Sequence, residues 1–411
     1  MRDCRTPSPL RAILPVGIGT CLSLMGDASL YAVLPTHTMQ AGVAVASVGI
    51  LLSANRFVRL ALNGPAGAAY DRWPRRWLFV AALFVGACST AIYGFTRGFA
   101  PLLVGRLLWG LAWSGIWVGG NTIVLDVTDD TTRGRWVGIY QVAFFLGSSG
   151  GSLLGGFLTD RLGYHNAMIV GAGLTLAGAI VALLFLPETR GARHQESEFT
   201  VHPDRSPDTL SRAHRIEFSS AVALYGANRL ALAGILQSTF GLFLLDQMGE
   251  QAQVAGRSLG VATLTGLGLG LSTLISMTSA PIVGHLSDRT GNRWKVAAGG
   301  LIPGVAGFSL LALGSPLTAL FAVPLTAIAG GSNQGLATAL IGDLGNVGRQ
   351  SRQLGVLFTV GDLASAIGPP LAYALIPWLG VKNVYLVSAA VFAAVFLLTL
   401  RRATHQPRPA E

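Results

Sequence analysis

The chain contains twelve apolar stretches that are each long enough to cross a lipid bilayer as a helix. The apolar core of a bilayer is about 30 Å thick and needs roughly 20 residues. Because this core offers the backbone no hydrogen-bond partner, each stretch must satisfy its own backbone as a helix. The sequence therefore predicts an all-α polytopic membrane protein with twelve transmembrane helices. The predicted spans are residues 12–35, 46–69, 77–96, 101–125, 136–159, 166–186, 218–245, 258–283, 295–314, 316–341, 354–379 and 383–400.

Composition and charge agree with a membrane protein. Of 411 residues, 51% are hydrophobic and only 12% are charged, which is about half the charged fraction of soluble domains. The 53 glycines suit membrane helices that pack closely. With the amino terminus in the cytoplasm, Lys and Arg concentrate in the cytoplasmic connections, so the net charge of +10 reflects membrane topology. We therefore expect both termini in the cytoplasm and no nucleic-acid partner.

The sequence lacks the motifs of enzymes. Its three cysteines, Cys4, Cys21 and Cys88, imply no disulfide framework. Its histidines lie mainly in loops and tails, without the spacing of metal ligands. No nucleophile motif and no Gly-Lys-Ser/Thr phosphate loop is present. The sequence therefore predicts that the protein is not an enzyme and needs no metal and no cofactor.

The second half of the chain repeats landmarks of the first half at a constant offset of 217 residues, as from Asp71 to Asp288. The same offset relates Gly67 to Gly284, Arg72 to Arg289, Arg76 to Arg293, Asp126 to Asp343, Arg135 to Arg352, Gly138 to Gly355 and Gly151 to Gly368. A shared offset of this kind indicates two homologous halves, as in transporters built from two membrane bundles. The predicted domains are two pseudo-symmetric six-helix bundles at 1–186 and 218–400, a cytoplasmic linker at 187–217 and a cytoplasmic tail at 401–411.

Two of the repeated loops carry a recognisable motif. The loop after the second span reads Gly67-Ala-Ala-Tyr-Asp71-Arg72-Trp-Pro74-Arg75-Arg76, and the loop after the eighth reads Gly284-His-Leu-Ser-Asp288-Arg289-Thr-Gly291-Asn-Arg293. Both resemble the signature loop of the major facilitator superfamily, with Pro74 in place of the usual Gly in the first copy. The resemblance extends over nearly the whole chain apart from the linker and tails. It implies that two bundles rock around a central site.

The resemblance also implies a gate on the cytoplasmic side. Glycine would let two helices touch at the rim, and each Asp would face an Arg or a helix terminus. The alternative is that these charges only anchor helix ends among the lipid headgroups. The gate candidates are Gly67, Asp71, Arg72, Arg75, Arg76, Asp126, Arg135, Gly284, Asp288, Arg289, Arg293, Asp343 and Arg352.

The fifth span carries a glycine motif that resembles the one in drug:proton antiporters of this superfamily. Its members are Gly138, Gly147, Gly151, Gly155 and Gly156. Ser152 stands where the motif has Pro. The motif favours an exporter, whereas the alternative is plain close packing between helices, which implies no direction of transport.

Six charged residues fall inside the predicted spans: Asp27, Arg56, Arg59, Arg106, Arg229 and Asp362. Buried charges of this kind are candidates for proton coupling or substrate binding. The resemblance implies a coupling acid at Asp27 and an assisting role for Arg106. The alternatives are a permanent packing pair for Asp27 and an Arg106 that extends to the interface. Because four Arg outnumber two acids, the interior favours an anionic substrate.

These features together predict a proton-coupled exporter of a small or amphiphilic molecule that works by alternating access. Its partners would be the small-molecule substrate, protons and membrane lipid, and the protein would act as a monomer in a bacterial cytoplasmic membrane. The alternative within the same fold is a symporter or facilitator that imports an anionic solute. A polytopic membrane enzyme or a receptor is the third possibility, which the absence of enzyme motifs disfavours.

Overall fold

The computed structural model describes residues 8–129, 131–190, 212–254, 257–344 and 347–405. Its elements in this part of the chain are α1 (Pro9–Val33), α2 (Thr38–Ala41), α3 (Val45–Arg72), α4 (Arg75–Phe95), α5 (Phe99–Asp126), α6 (Arg133–Leu162), α7 (Tyr164–Phe185), α8 (Arg212–Asn228), a π-helical segment π1 (Arg229–Leu236), α9 (Gln237–Met248), β1 (Gln251–Val254), β2 (Arg257–Gly260), α10 (Val261–Thr290), α11 (Arg293–Ala312), α12 (Pro316–Leu344) and α13 (Val347–His405).

The helices confirm the all-α polytopic prediction. Among the described residues, ten helices are long and apolar enough to cross a membrane. One of them, Arg352–Thr404, contains two predicted spans, because α13 is interrupted at Gly380. The remaining predicted span is α12, whose 29 residues are more than the roughly 20 that a bilayer requires. Each predicted span therefore has a helix at its place.

Backbone geometry reproduces the pseudo-symmetry of the two halves. Gly163 separates α6 from α7 with φ 82°, and Gly380 interrupts α13 with φ 76°. The two glycines are related by the same offset of 217 residues. A positive φ is costly for residues with a side chain, so glycine at both positions lets the chain turn sharply between two membrane helices.

The structure extends several predicted boundaries. Helix α8 begins at Arg212, so the last residues of the predicted linker are helical. Strands β1 and β2 form an antiparallel hairpin between α9 and α10, which the sequence did not predict. Cys4, residues 191–211 of the linker and residues 406–411 of the tail lie outside the described residues.

The described residues form two compact units. The first unit comprises α1 to α7 together with Phe240–Gly270, which includes most of α9, the hairpin and the start of α10. The second unit comprises α8, π1 and Leu271 onwards. In the second unit, a Cβ added to Gly234 would lie 2.9 Å from Cα of Gly368. Backbone contact of this kind lets π1 and α13 cross without intervening side chains.

The glycine motif of α6 packs against two other helices of the first unit. A Cβ on Gly151 would lie 2.8 Å from the carbonyl oxygen of Leu24, and one on Gly155 would overlap Ser29, so both glycines face α1. A Cβ on Gly156 would overlap the carbonyl of Ala262 at the start of α10. Such close backbone contacts are what small residues permit in membrane helices.

The remaining motif glycines differ from each other. Gly147 also faces α1, where an added Cβ would lie 2.8 Å from Cα of Cys21. Around Gly138, no atom lies within 4 Å of an added Cβ in the described part of the chain. Four of the five motif positions therefore require glycine for packing, and Gly138 does not.

We expect Gly155→Ala to destabilise the protein, because its methyl group would overlap Ser29. Overpacking of this kind costs about 1–3 kcal/mol. The apparent melting temperature of the detergent-purified protein should fall by several degrees. Gly138→Ala, in the same helix but in open space, is the matched control and should leave the melting temperature unchanged or slightly raised. Equal melting temperatures for the two variants would contradict the packing described here.

Candidate transport site

A buried ion pair joins α1 and α5 in the first unit. The Nη1 group of Arg106 donates to Oδ1 of Asp27. Arg106 is 0% exposed and Asp27 is 6% exposed. The guanidinium also donates from Nε to the carbonyl oxygen of Leu51, at 3.0 Å. The structure therefore places Arg106 inside the first unit, where it links Asp27 to the backbone of α3.

Tyr31 completes this network. Its hydroxyl accepts from Nη2 of Arg106 at 3.0 Å and donates to the carbonyl oxygen of Leu52 at 3.2 Å. The guanidinium carbons of Arg106 and Arg56 each lie 5.3 Å from the centre of the Tyr31 ring, within the range of a cation–π interaction. Tyr31 follows Asp27 by four residues on α1, and this spacing places the two side chains on the same face of the helix.

Burial makes this ion pair sensitive to the loss of either charge. Two charges removed from water need good geometry and further hydrogen bonds to offset their lost hydration. Arg106 meets this need through Leu51 and Tyr31. Loss of one partner from a buried pair costs about 3–5 kcal/mol, because the other charge stays buried without compensation. The protonation state of Asp27 therefore bears directly on the packing of three helices.

An aromatic stack runs along α5 beside this site. The ring of Trp113 lies 6.1 Å from Trp109 and 5.8 Å from Trp117, with nearly parallel planes. Trp117 in turn stacks 6.1 Å from Tyr140 of α6. Trp109 and Trp113 are buried in the hydrophobic core of the first unit. Both therefore serve the packing of α5 against its neighbours.

The second unit has a charge pair of its own. Nη2 of Arg229, at the start of π1, lies 3.9 Å from Oδ1 of Asp362 in α13. Each side chain is 25% exposed. Nε of Arg229 is buried without a hydrogen-bond partner among the described residues. The side chains of this pair are thus more exposed than those of Asp27 and Arg106. The guanidinium of Arg229 also has a donor without a partner among the described residues.

The remaining charges of the predicted interior lie on α3. Arg56 is buried and Arg59 is half-buried. The positions that repeat Asp27 and Arg106 in the second half are Leu244 and Val323, neither of which can carry charge. The two units therefore differ in their interior chemistry although their helices repeat.

The predicted gate forms an ion cluster in the first unit. Nε of Arg75 lies 3.0 Å from Oδ2 of Asp126, and its Nη1 donates to the carbonyl of Tyr70 at the end of α3. Thr189 donates to the same Asp126 oxygen at 3.2 Å. Glu188 accepts from the Arg75 backbone N–H at 2.9 Å, at the start of α4, where a carboxylate is favoured by the helix dipole. Glu188 and Thr189 belong to no motif that is visible in the sequence.

The corresponding cluster of the second unit is built around Arg293. Its Nε lies 2.6 Å from Oδ2 of Asp343, and its Nη1 lies 2.9 Å from Oδ1 of Asp288. The repeat would assign the first-unit role to Arg76, but the structure gives it to Arg75. Arg76 instead donates from Nη2 to the carbonyl of Leu183 at 2.6 Å.

The cause of this difference lies in the preceding turn. Gly291 has φ 65°, whereas Pro74 at the equivalent position has φ −58° because its ring fixes φ in that region. Helix α4 consequently begins at Arg75, while α11 begins two residues after Gly291 with Asn292 as its N-cap. The side chain of Asn292 accepts from the Lys295 N–H at 3.0 Å. Replacing Gly with Pro therefore changes which arginine reaches the acid.

Other predicted gate residues lie outside these clusters. Among the described residues of its own unit, neither Gly67 nor Gly284 has an atom within 4 Å of an added Cβ. The described residues therefore provide no close helix contact for these glycines within their own units. The exposed members, at or near helix ends, are Asp71, Arg72, Arg135, Arg289 and Arg352.

A further carboxylate contact lies at the opposite end of α6 from the Arg75 cluster. Oδ2 of Asp160 accepts from the backbone N–H of Thr263 at 2.7 Å and from its hydroxyl at 2.5 Å. Thr263 is in the first turn of α10. The carboxylate thus caps a helix start, where free N–H groups and the helix dipole favour negative charge.

Comparison with known proteins identifies the family. The model of the Major Facilitator Superfamily matches residues 16–323 and 230–411. The chain is 24% identical to the tetracycline resistance protein, class B, of Escherichia coli over 394 residues, which are 93% of each protein. Among solved structures, a bacterial homologue of the human lysosomal transporter Spinster superposes with a TM-score of 0.75 at 15% identity, covering 99% of this chain and 100% of that one.

Another similar structure is the human organic anion transporter MFSD10 (TETRAN), with a TM-score of 0.64 at 20% identity. That match covers 96% of this chain and all of the human one. Both structures share the fold described above. Proteins of this family are integral membrane transporters of small molecules, so the prediction that the protein is not an enzyme is confirmed. The chain belongs to the major facilitator superfamily.

Proposed function

We propose that this transporter exports a small or amphiphilic molecule in exchange for protons, with Asp27 as the coupling acid. The observation that carries the proposal is the buried network of Asp27, Arg106 and Tyr31. An acid in such a place changes the charge of the interior when it binds a proton, and intramembrane acids of this kind commonly take part in proton relays.

The network suggests how a proton and a substrate are coupled. Protonation of Asp27 removes the negative charge that faces Arg106. The guanidinium then keeps its bonds to Leu51 and Tyr31 but carries an uncompensated charge, so α1 and α5 must rearrange around it. A substrate bound to the alternative arrangement opposes this change. Different affinities of proton and substrate for the two states are sufficient for coupling.

Other features support export and set its surroundings. The glycine motif of α6 resembles that of antiporters, and the similar protein of Escherichia coli is named for resistance to tetracycline. We place the protein as a monomer in a bacterial cytoplasmic membrane, surrounded by lipid, with both termini in the cytoplasm. The six-helix bundles at 1–186 and 218–400 then rock about the central site, and the loops with the Arg75 and Arg293 clusters form the cytoplasmic gate.

Import of an anionic solute by symport or facilitation is the second candidate. Four arginines against two acids inside the spans favour it, as does Ser152 in place of the motif proline. The human protein with a similar fold is described as an organic anion transporter. This candidate shares the fold and the alternating-access cycle, and differs from the first in the direction of transport.

Asp27→Asn should abolish proton movement evoked by substrate in everted membrane vesicles, with a loss of at least about tenfold. The neutral amide cannot release a proton, and it leaves Arg106 without its buried partner, at a cost of about 3–5 kcal/mol. Membrane levels of the variants must therefore be matched. The substrate panel should contain amphiphilic cations, anions and tetracycline.

Two further variants serve as controls for this experiment. Asp27→Glu keeps a titratable acid and should retain part of the coupling. Asp246→Asn removes an exposed carboxylate at the end of α9 and should behave as the unaltered protein. Proton movement that survives in Asp27→Asn would eliminate Asp27 as the coupling acid, and accumulation of anions without efflux of any probe would favour the second candidate.

Arg293→Gln should slow transport several-fold without removing the protein from the membrane. Arg293 joins Asp288 of α10 to Asp343 of α12, so its loss frees two helix ends that the proposed gate holds together. Initial rates of transport in vesicles measure the effect. Lys295→Gln, which removes an exposed positive charge of α11 outside the predicted gate residues, is the matched control and should transport at the unaltered rate.

The partner charge provides a second test of the Arg293 cluster. If Arg293 acts through Asp343, the double variant Arg293→Gln with Asp343→Asn should be no slower than Arg293→Gln alone. Additive losses in the double variant would show that the two residues act independently, contrary to the proposed cluster.

A further inference from the structure

We propose that Arg229 binds an anionic group of the transported molecule, a carboxylate or sulfonate, and that Asp362 occupies its guanidinium when substrate is absent. This inference deepens the proposed function and rests on it, since it assigns a substrate class to the same transporter. It is carried by the pair Arg229–Asp362 of the second unit.

Arg106 of the first unit is not available for this task. Arg106 is 0% exposed, and its guanidinium is engaged with Asp27, Tyr31 and the Leu51 carbonyl. A substrate anion at Arg106 would have to displace a buried carboxylate and two further oxygens. Anion binding therefore requires a different cation.

Arg229 has the properties that Arg106 lacks. Its side chain is 25% exposed, and its Nη2 lies 3.9 Å from the Asp362 carboxylate, beyond the 2.7–2.9 Å of a charge-assisted hydrogen bond. Its Nε–H is buried without a partner in the described part of the chain. A guanidinium has a planar fork of donors that matches the two oxygens of a carboxylate. Because the side chain as a whole is 25% exposed while Nε is buried, the terminal Nη groups are the donors that a ligand would reach.

The surrounding helices hold the stem of Arg229 in place. Tyr225, one turn earlier, packs against Gly361, where an added Cβ would overlap its ring and lie 3.2 Å from Cγ of Arg229. Arg229 is also the first residue of π1. Such π-helical turns are rare and often occur at functional sites. The widened turn sets the direction of Arg229 relative to α13, where Asp362 lies.

Asp362 explains how the site would release its ligand. A carboxylate close to a guanidinium stabilises the positive charge while substrate is absent, and it competes with an incoming anion. At 3.9 Å and with both side chains partly exposed, Asp362 holds Arg229 less firmly than a charge-assisted hydrogen bond of about 2.7–2.9 Å would. Displacement of Asp362 by substrate thus requires little free energy and is reversible.

The test measures ligand binding to the detergent-purified full chain in two ways. One is the thermal shift, and the other is displacement of a fluorescent carboxylate, fluorescein. The probes are benzoate and benzenesulfonate, with uncharged benzamide as their shape-matched control. The variants are Arg229→Gln, Arg229→Lys and Asp362→Asn. Arg215→Gln, an exposed arginine near the start of α8, is the matched control for the loss of one positive charge.

We expect the two anions to bind the unaltered protein and Arg215→Gln, and benzamide to bind neither. Arg229→Gln should weaken anion binding about tenfold or more, and Arg229→Lys should weaken it less, because lysine keeps the charge but not the fork. Asp362→Asn should strengthen binding about twofold to fivefold by removing the competing carboxylate. An increase in affinity cannot come from misfolding.

Equal anion affinity of Arg229→Gln and the unaltered protein would overturn the proposal, as would binding of benzamide as tight as that of benzoate. Failure of both anions to bind the unaltered protein would overturn it too. The outcome is separable from that of the proposed antiport, because Asp27→Asn removes the proton site of the first unit and should still bind benzoate. Proton coupling through Asp27 can therefore fail while anion binding by Arg229 stands.

Discussion

The ion pair between Asp27 and Arg106 is the interaction on which the first unit depends. Two charges that lie inside a membrane bundle are stable only while each has the other and while the remaining donors are satisfied. Arg106 satisfies this condition through Tyr31 of α1 and a backbone carbonyl of α3. Three helices are thereby tied to the charge state of one carboxylate. A proton at Asp27 then acts on helix packing directly, without a separate transmitting element.

The two halves of the chain repeat their helices and turns, but they differ in the charged residues of their interiors. Gly163 and Gly380 adopt almost the same backbone geometry at equivalent turns, so both halves bend their chain in the same way. The interior charges, by contrast, follow no repeat: Leu244 stands where Asp27 would recur. In the proposed transport cycle, a symmetric scaffold would let the two bundles move as similar bodies, and unequal interiors would let proton and substrate use different halves.

The sequence predicted the helices well because lipid leaves the backbone no alternative to helix formation. It also placed Asp126 and Asp343 beside arginines, since the repeat and the family resemblance pointed to both loops. It did not predict that Arg75 takes the place expected of Arg76, because this depends on the φ of Pro74 and Gly291. The contact of Arg106 with the Leu51 carbonyl depends on how the helices cross, which no side-chain pattern encodes. The π-helical turn at Arg229 is likewise not visible in the hydrophobic periodicity of the sequence.

The contrast between two arginines indicates how one protein can keep its two ligands apart. Arg106 has a carboxylate, a hydroxyl and a carbonyl as partners and is closed to any outside anion. The side chain of Arg229 is partly exposed, and its Nη2 lies 3.9 Å from the carboxylate of Asp362. If both arginines were equally open, a substrate anion would neutralise the cation that holds Asp27 and would abolish the difference between its two protonation states. Under the proposed function, the saturation of Arg106 would protect the proton site at Asp27, and Arg229 would offer the substrate a different cation within the second unit.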